Sequence, residues 1–244
     1  MTRLAIVGAM HEEIAALRPC LVDVRTERRA GRDFHLGRLD GHDVILVRSG
    51  IGKVAAATTT AVLLDAFDAY ALLFTGVAGG LGEGVRVGDI VVATTLLQHD
   101  MNAAPLFPRW EVPLTGRARF DADARWTARL LRAGRTLAAT NTHADDATLH
   151  QGLVVSGDRF VATHAESDAL RALLPDALAV EMEGAAVAQV CHDFGRPFGV
   201  VRTISDRADD AAHGDFQRFV CDVAAPYSRD IVRAALSQQD CMSN

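Results

Sequence analysis

Residues Val180–Asp206 read V-E-M-E-G-A-A-V-A-Q-V-C-H-D-F-G-R-P-F-G-V-V-R-T-I-S-D. The almost uncharged segment from Gly184 to Cys191 is too small and apolar for a surface helix, so it predicts a buried one. Gly195 and Pro197 form a signal for the end of that helix. The apolar run that follows, Phe198–Val201, is typical of a buried strand. This stretch therefore predicts a helix–strand unit inside an α/β fold.

Charged side chains mark both ends of this unit. Glu181 and Glu183 precede the helix, whereas Arg202 and Asp206 follow the strand, together with Ser205. Ligands of open α/β sheets bind at the carboxyl ends of strands. Buried charge is costly unless it is paired or used. Helix capping and rim charges remain an alternative, but four such groups around one apolar unit favour a functional site.

The bulk composition predicts one globular domain over residues 1–244. The chain has 244 residues, 49% of them hydrophobic, which suffices for a large core. Its net charge is −6, its basic residues are scattered and only 6% of residues are aromatic. These values argue against a nucleic-acid-binding surface.

Cysteines and the first apolar run indicate the compartment. The four cysteines have no short paired spacing, which argues against a disulfide framework and against a zinc site. The run Leu4–Val7 is soon followed by His11–Glu13, so it predicts neither a signal peptide nor a membrane span. We therefore expect a cytoplasmic protein in a reducing environment.

Strand and helix patterns alternate along the chain. Predicted strands are Leu4–Val7, Phe34–Leu39, Val44–Val47, Ala71–Phe74, part of Val87–Ala93, Gly152–Val155 and Phe198–Val201. Predicted helices are His11–Leu17, Lys53 to about Asp65, Asp121–Gly134, Gly184–Cys191, Glu166–Leu174 and Phe216–Leu236. The pattern predicts an α/β fold, and a hairpin signal at Asp40–Gly41 makes the sheet mixed.

Two glycine-containing segments follow predicted strands, and neither has a nucleotide-binding spacing. Thr75–Gly80 predicts a turn at which backbone approaches a ligand closely, without the dinucleotide-binding pattern. Ser49–Lys53 could hold an anion at a helix start but lacks the P-loop pattern. His99 could be a base or a metal ligand, although a hydrogen-bonded structural histidine is the favoured interpretation.

Seven segments together resemble the 5′-methylthioadenosine/S-adenosylhomocysteine nucleosidases of the nucleoside phosphorylase superfamily. They occur in the family's order over nearly the whole chain: G-A-M-H-E-E (8–13), S-G-I-G-K-V (49–54), G-V-A-G-G (76–80), V-G-D-I-V (87–91), V-S-G-D-R-F (155–160), V-E-M-E-G (180–184) and R-T-I-S-D (202–206).

The resemblance implies a nucleoside phosphorylase-like fold, a three-layer α/β/α sandwich with a central mixed β-sheet. It also implies a homodimer without metal or organic cofactor. The activity it implies is hydrolysis of the N-glycosidic bond of methylthioadenosine and adenosylhomocysteine, with 5′-deoxyadenosine as a further candidate. Such an enzyme would serve methionine salvage and methyl-cycle detoxification.

The catalytic roles follow from the same resemblance. It implies that Glu13 activates the attacking water and that Asp206, supported by the Ser205 hydroxyl, protonates adenine N7. The chemistry agrees, because adenine leaves poorly until N7 is protonated and an acid in a dry site has the raised pKa that this needs. Without the resemblance, Glu13 could equally be a first-turn acid that suits the helix dipole.

Substrate-binding roles are implied for further residues. Glu183 would hold the ribose hydroxyls, Met182 would pack on the ribose, and Arg202 would order Glu183 and the water. Phe160 would stack on the purine, and the backbone of Val161 would read its edge.

An apolar pocket is expected around the 5′-thioalkyl group. Met10, Ile51 and Phe216 would form its walls, and a partner subunit would lend Leu106 or Phe107. The chain departs from the family at Val77, where serine is common near the sugar, and at His11, where an acid is common.

Three other functions stay open at this stage. A purine nucleoside phosphorylase would need a phosphate site, and Glu12 and Glu13 would repel phosphate, with only Arg48 and Arg202 as arginines near the matched loops. A futalosine-type nucleosidase would use the same residues. A non-catalytic adenine-nucleoside sensor would need neither Glu13 nor Asp206.

Overall fold

A mixed β-sheet with helices on both faces forms the centre of the structure, which is a computed structural model. It describes residues 3–140, 146–209, 219–220, 223 and 225–238. Their strands are Leu4–Gly8 (β1), Val22–Arg29 (β2), Arg32–Leu39 (β3), His42–Arg48 (β4), Ala71–Gly80 (β5), Ile90–Gln98 (β6), Arg119–Asp121 (β7), Leu149–Ser156 (β8), Ala177–Glu181 (β9) and Phe198–Asp206 (β10). Their helices are His11–Ile14 (α1), Lys53–Asp65 (α2), Ala124–Thr140 (α3), His164–Leu173 (α4), Gly184–Asp193 (α5) and Ala225–Leu236 (α6), with a 3₁₀ turn at Arg18–Cys20.

Strand β5 pairs with three other strands, β1, β9 and β10. The strand order is β10-β6-β8-β9-β5-β1-β4-β3-β2, and β7 pairs with β6. Because β5 also pairs with β10, the strands β5, β10, β6, β8 and β9 close into a ring. Parallel pairs such as β1–β5 and β5–β10 coexist with the antiparallel hairpin β3–β4, so the predicted mixed sheet is confirmed.

Side chains of β5 alternate between two cores. Leu72 and Phe74 pack into a core that includes residues of α2 and α5. Leu73, by contrast, packs into a core with residues of α3 and α6, among them Trp126 and Ile231. The period-two alternation of a strand thus places helices on both faces, which gives the three-layer arrangement that we expected.

Strands β5 and β10 are longer than the sequence predicts. Thr75–Gly80, expected to be a turn, continues β5. Likewise Arg202–Asp206, expected just past a strand, belongs to β10. The two segments pair with each other, with Arg202 opposite Gly76 and Asp206 opposite Gly79, so their backbone groups bond each other rather than forming a loop.

Other boundaries also differ. Strands β2, β7 and β9 were not predicted, because β2 is mostly polar and exposed and β7 and β9 have only three and five residues. Helix α1 ends at Ile14, not Leu17, and α3 begins three residues later than predicted and runs on to Thr140. Of the predicted closing helix Phe216–Leu236, the structure describes Ala225–Leu236 as helix, and Phe216 lies outside the described residues. No helix in the described part of the chain is both long enough and apolar enough to span a membrane.

Candidate functional site

A cavity of about 330 Å³ lies where β1, β8, β9 and β10 end. Most of the site residues predicted from the sequence line it. They are Met10, Glu13, Ile51, Val77, Phe160, Val161, Met182, Glu183, Ser205 and Asp206. Further lining residues had no predicted role: Ala9, Ala78, Gly79, Arg159, Val180 and Glu181. Segments far apart in the chain thus meet at one cavity.

Glu13 is held inside the cavity by backbone N–H groups. Its Oε2 accepts hydrogen bonds from the N–H of Ala9 at 2.6 Å and of Met10 at 2.9 Å, and its Oε1 accepts one from Val77 at 3.0 Å. Burial raises the pKa of Glu13, while Arg202 and these hydrogen bonds oppose the rise. The carboxyl is therefore fixed in position inside the cavity.

Two glycines of β5 make room for carboxylates. A Cβ at position 76 would lie 2.3 Å from Glu13 Oε1, and one at position 79 would lie 2.9 Å from Asp206 Oδ1. Any larger residue would push these acids out of place. The glycines therefore serve the close approach of side chains from β10 and α1 rather than a turn.

Arg202 and Glu181 form a buried ion pair in which Glu181 lines the cavity and Arg202 does not. Arg202 is 1% exposed, and its Nη2 donates to Glu181 Oε2 at 2.7 Å. Its guanidinium also lies 4.0 Å from the centre of the Phe74 ring. Glu181 accepts further hydrogen bonds from the N–H groups of Glu183 and Gly184. The Ser156 hydroxyl donates to Glu181 as well.

The ordering role predicted for Arg202 stays a prediction, and the structure shows which acid Arg202 contacts directly. Its ion pair is with Glu181 and not with Glu183, and it does not line the cavity. Its charge nevertheless acts on both Glu13 and Glu183, since it lowers the pKa of each. Arg202 therefore influences the site through its electric field and through Glu181.

Glu183 lies at the start of α5 and points towards the loop before α2. Its Oε1 accepts a hydrogen bond from the Gly52 N–H at 2.7 Å. Burial, followed by the negative charge of Glu181, raises the pKa of Glu183 to about 8. Gly52 has a φ of 95°, a left-handed conformation that glycine adopts without strain.

Asp206 ends β10 and is 1% exposed. The Ser205 hydroxyl donates to its Oδ2 at 2.8 Å, as predicted for a supporting hydroxyl, and the Ala208 N–H donates to its Oδ1 at 2.8 Å. These contacts orient the carboxyl at the cavity wall. An oriented carboxyl in a site with little water can transfer a proton to a bound base.

Apolar side chains form most of the remaining wall. Ile51 and Phe160 are 59% and 41% exposed, whereas Val77 and Val161 are buried. Leu106 and Phe107 do not line this cavity, and Leu106 is 84% exposed.

Lys53, the only lysine in the chain, joins three segments beside the cavity. Its Nζ donates to Asp100 Oδ1 at 2.6 Å and to Gln98 Oε1 at 3.1 Å, just past and at the end of β6. Its N–H donates to Asp158 Oδ1 at 2.7 Å, and the Asp158 N–H donates to Asp100 Oδ2 at 3.0 Å. The segment that leads to Phe160 is thereby tied to the start of α2.

His99 does not line the cavity. Its Nε2 is buried and has no hydrogen-bond partner among the described residues, which differs from the hydrogen-bonded histidine that we favoured. The ring packs on Gly157, where a Cβ would lie 2.3 Å from Nε2. Burial lowers the pKa of His99, which favours the neutral ring. Among the described residues, no group of three or more His, Cys, Asp or Glu side chains could hold a metal ion.

Glu181 is the functional residue that sequence analysis left without a role. Its signal was present in the V-E-M-E segment, where two acids stand two residues apart. The sequence does not reveal which of them pairs with Arg202, because that depends on how β9 lies beside β8 and β5.

Comparisons with known proteins place this chain in a family. The sequence profile described as "Phosphorylase superfamily" matches residues 3–237. A 5′-methylthioadenosine/S-adenosylhomocysteine nucleosidase from Anoxybacillus flavithermus is 39% identical over 236 residues, 96% of this chain and 98% of that one. The nucleosidase of the same name from Marinomonas sp. is 37% identical, over 97% of this chain and 99% of that one.

Solved structures agree with the fold. The chain superposes with a TM-score of 0.89 on the nucleosidase from Neisseria meningitidis in complex with methylthio-immucillin-A. That protein is 37% identical, over 97% of this chain and 99% of that one. The nucleosidase from Colwellia psychrerythraea in complex with adenine also has a TM-score of 0.89, at 35% identity over 96% and 94% of the two chains. The chain belongs to the phosphorylase superfamily and, within it, to the 5′-methylthioadenosine/S-adenosylhomocysteine nucleosidases.

Proposed function

We propose that the chain hydrolyses the N-glycosidic bond of 5′-methylthioadenosine and S-adenosylhomocysteine, releasing adenine and the 5-thioribose product. The observation that carries this proposal is the meeting of Glu13 and Asp206, two buried and oriented carboxyl groups, at one largely apolar cavity. The relatives' names and the adenine and methylthio-immucillin-A complexes of the structural neighbours support it.

The first chemical step is departure of the base. Asp206, held by the Ser205 hydroxyl and the Ala208 N–H, donates a proton to adenine N7. Phe160 stacks on the purine, and the backbone of Val161 reads its edge. As the base leaves, the sugar becomes oxocarbenium-like and is stabilised by nearby negative charge.

The second step is addition of water. Glu13 accepts a proton from a water molecule that attacks the anomeric carbon. Three backbone N–H groups fix this carboxyl, so it is placed before the substrate binds. Glu183 holds the ribose hydroxyls, and Met182 packs on the ribose.

The 5′-thioalkyl group occupies the apolar end of the cavity. Met10 and Ile51 form its walls, and a partner subunit in a homodimer contributes Leu106 or Phe107. The exposure of Leu106 at 84% supports a contact outside its own chain, because large apolar side chains gain from burial. A fully active monomer at nanomolar concentration would contradict this arrangement.

We also infer where the protein acts and in which pathway. We place the protein in the cytoplasm as a single domain that acts in methionine salvage and in removal of adenosylhomocysteine. Cys20 and Cys191 are free thiols, in keeping with a reducing compartment.

A phosphate-dependence assay tests the proposal. Purified protein is incubated with methylthioadenosine in buffer with and without inorganic phosphate, and free adenine is measured. We expect equal adenine release in both buffers. Release only with phosphate would identify a phosphorylase, and binding without release would identify a sensor.

A further inference from the structure

A second, polar cavity of about 910 Å³ adjoins the first and shares Ala9, Met10 and Ile51 with it. Two of these shared residues, Met10 and Ile51, are walls of the proposed 5′-thioalkyl pocket. The polar cavity therefore adjoins the end of the proposed pocket that lies beyond the 5′ sulfur.

Some charged side chains of this polar cavity already have hydrogen-bond or ion-pair partners within the chain. Arg28 pairs with Asp33 at 3.2 Å. Arg32 donates to the backbone carbonyls of Ser49 at 2.9 Å and Ala30 at 2.7 Å. These groups therefore already have partners within the chain.

Arg48 and Glu12 also line the cavity, and both lack such partners. No hydrogen bond or ion pair ties either side chain to another part of the chain within the described residues. Arg48 ends β4 and is exposed, whereas Glu12 is half-buried in α1, next to Glu13. Among the described residues, Arg48 and Glu12 thus give the cavity a cation and an anion without a partner in the chain.

The two proposed substrates differ beyond the sulfur. Methylthioadenosine ends in a methyl group, and adenosylhomocysteine ends in an α-amino acid that is zwitterionic at neutral pH. An arginine guanidinium is the side chain best suited to bind a carboxylate, and a carboxylate suits an ammonium group.

We propose that this polar cavity is a binding site for the amino-acid end of adenosylhomocysteine, in which Arg48 binds the α-carboxylate and Glu12 the α-ammonium. The inference rests on the proposed function and adds the residues that set preference between its two substrates. Arg48 and Glu12 act on the tail only and take no part in breaking the N-glycosidic bond.

Steady-state kinetics of Arg48→Met on three substrates test the inference. The substrates are methylthioadenosine, adenosylhomocysteine and 5′-(3-aminopropyl)thioadenosine, which has the ammonium group but no carboxylate. We expect kcat/KM for adenosylhomocysteine to fall about threefold to fivefold, mostly through KM, as befits a solvent-exposed ion pair. The values for the other two substrates should stay within the error of the wild type.

Matched variants separate recognition from general damage. Arg38→Met removes an exposed arginine from the neighbouring strand β3, outside the cavity lining, and should leave all three values unchanged. Arg48→Lys should retain part of the preference, and the loss in Arg48→Met should shrink at high salt. Glu12→Gln should lower the ratio of adenosylhomocysteine to methylthioadenosine turnover.

Each outcome decides a distinct point. An unchanged substrate ratio in Arg48→Met, or an equal loss on all three substrates, overturns the inference while the proposed function stands. The inference is also overturned if the wild type releases adenine from methylthioadenosine but from neither of the other two substrates. If the wild type releases adenine from none of the three substrates, the proposed function fails and the inference fails with it.

Discussion

Loss of Glu181 should destabilise the fold more than loss of Arg202, its partner in the buried ion pair. Without Arg202, Glu181 keeps the hydrogen bonds from the Glu183 and Gly184 N–H groups and from the Ser156 hydroxyl. Once Glu181→Gln removes the carboxylate charge, the other contacts of the Arg202 guanidinium among the described residues are a 3.4 Å contact with its neighbour's carbonyl and the face of Phe74, and neither carries a negative charge. Glu181→Gln should therefore destabilise the fold more than Arg202→Met.

The magnitudes follow from this asymmetry. Breaking a buried ion pair and stranding its partner costs about 3–5 kcal/mol, which we assign to Glu181→Gln. Loss of one charged hydrogen bond costs about 1.5–3 kcal/mol, which we assign to Arg202→Met. At about 2–4 °C per kcal/mol for a chain of this length, Glu181→Gln should lower Tm by roughly 6–20 °C.

Arg202→Met should also change the pH dependence of activity. The Arg202 charge opposes the effect of burial and lowers the pKa of Glu13. Removing that charge raises the pKa of Glu13 further, so more of the carboxyl is protonated at a given pH. Because the proposed base must be ionised, the acidic limb of the kcat/KM profile should move to higher pH.

Thermal melts and pH–rate profiles of the single variants and of the Glu181→Gln, Arg202→Met double variant measure these effects. The control is Arg119→Met, which removes a surface pair 2.7 Å long and about half exposed, and should cost less than about 1 kcal/mol. A melt in which Arg202→Met is the less stable single variant would refute the asymmetry. An unmoved acidic limb would refute the electrostatic coupling to Glu13.

Three further variants test other parts of the site. Asp206→Asn should lower kcat/KM for methylthioadenosine by about 10³, mostly in kcat, with little change in Tm; a loss below about tenfold would make Asp206 a rim charge. The difference in Tm between Glu183→Gln and the wild type should shift in favour of the variant as pH rises from 5 towards 8. The reason is that a carboxyl whose folded-state pKa is raised to about 8 stabilises the fold at low pH and loses this contribution as it ionises; a pH-independent gap in Tm would contradict this. Lys53→Met should raise KM about threefold to tenfold with a smaller change in kcat, because it releases the segment leading to Phe160, and Lys53→Arg should restore much of the loss; equal KM in all three proteins would exclude a positioning role for Lys53.

Much of the site could be predicted because its residues follow apolar runs. The helix α5 and the strand β10 are visible in the sequence as apolar segments. The carboxyl-end rule places Asp206 at a site, and Glu183 flanks the same helix–strand unit. Glu13 required the family resemblance. As a first-turn acid it suits the dipole of any helix, and only the short α1 shows it folded back onto the N–H groups of Ala9 and Met10.

What could not be predicted depends on contacts between distant segments. The glycines of Thr75–Gly80 indicated a turn, but they are strand residues that leave room for Glu13 and Asp206. The choice of Glu181 as the partner of Arg202 depends on strand packing that no local pattern encodes. Strand β2 was missed because its mostly polar, exposed residues lack the alternation that a buried face imposes.

Hydrolysis by Glu13→Gln tests the central claim most directly. The amide keeps the size of the side chain but cannot accept the proton of the attacking water. We expect no detectable adenine release from methylthioadenosine in phosphate-free buffer, together with adenine binding close to that of the wild type by calorimetry. Wild-type turnover by Glu13→Gln would contradict the assignment of Glu13 as the group that activates water.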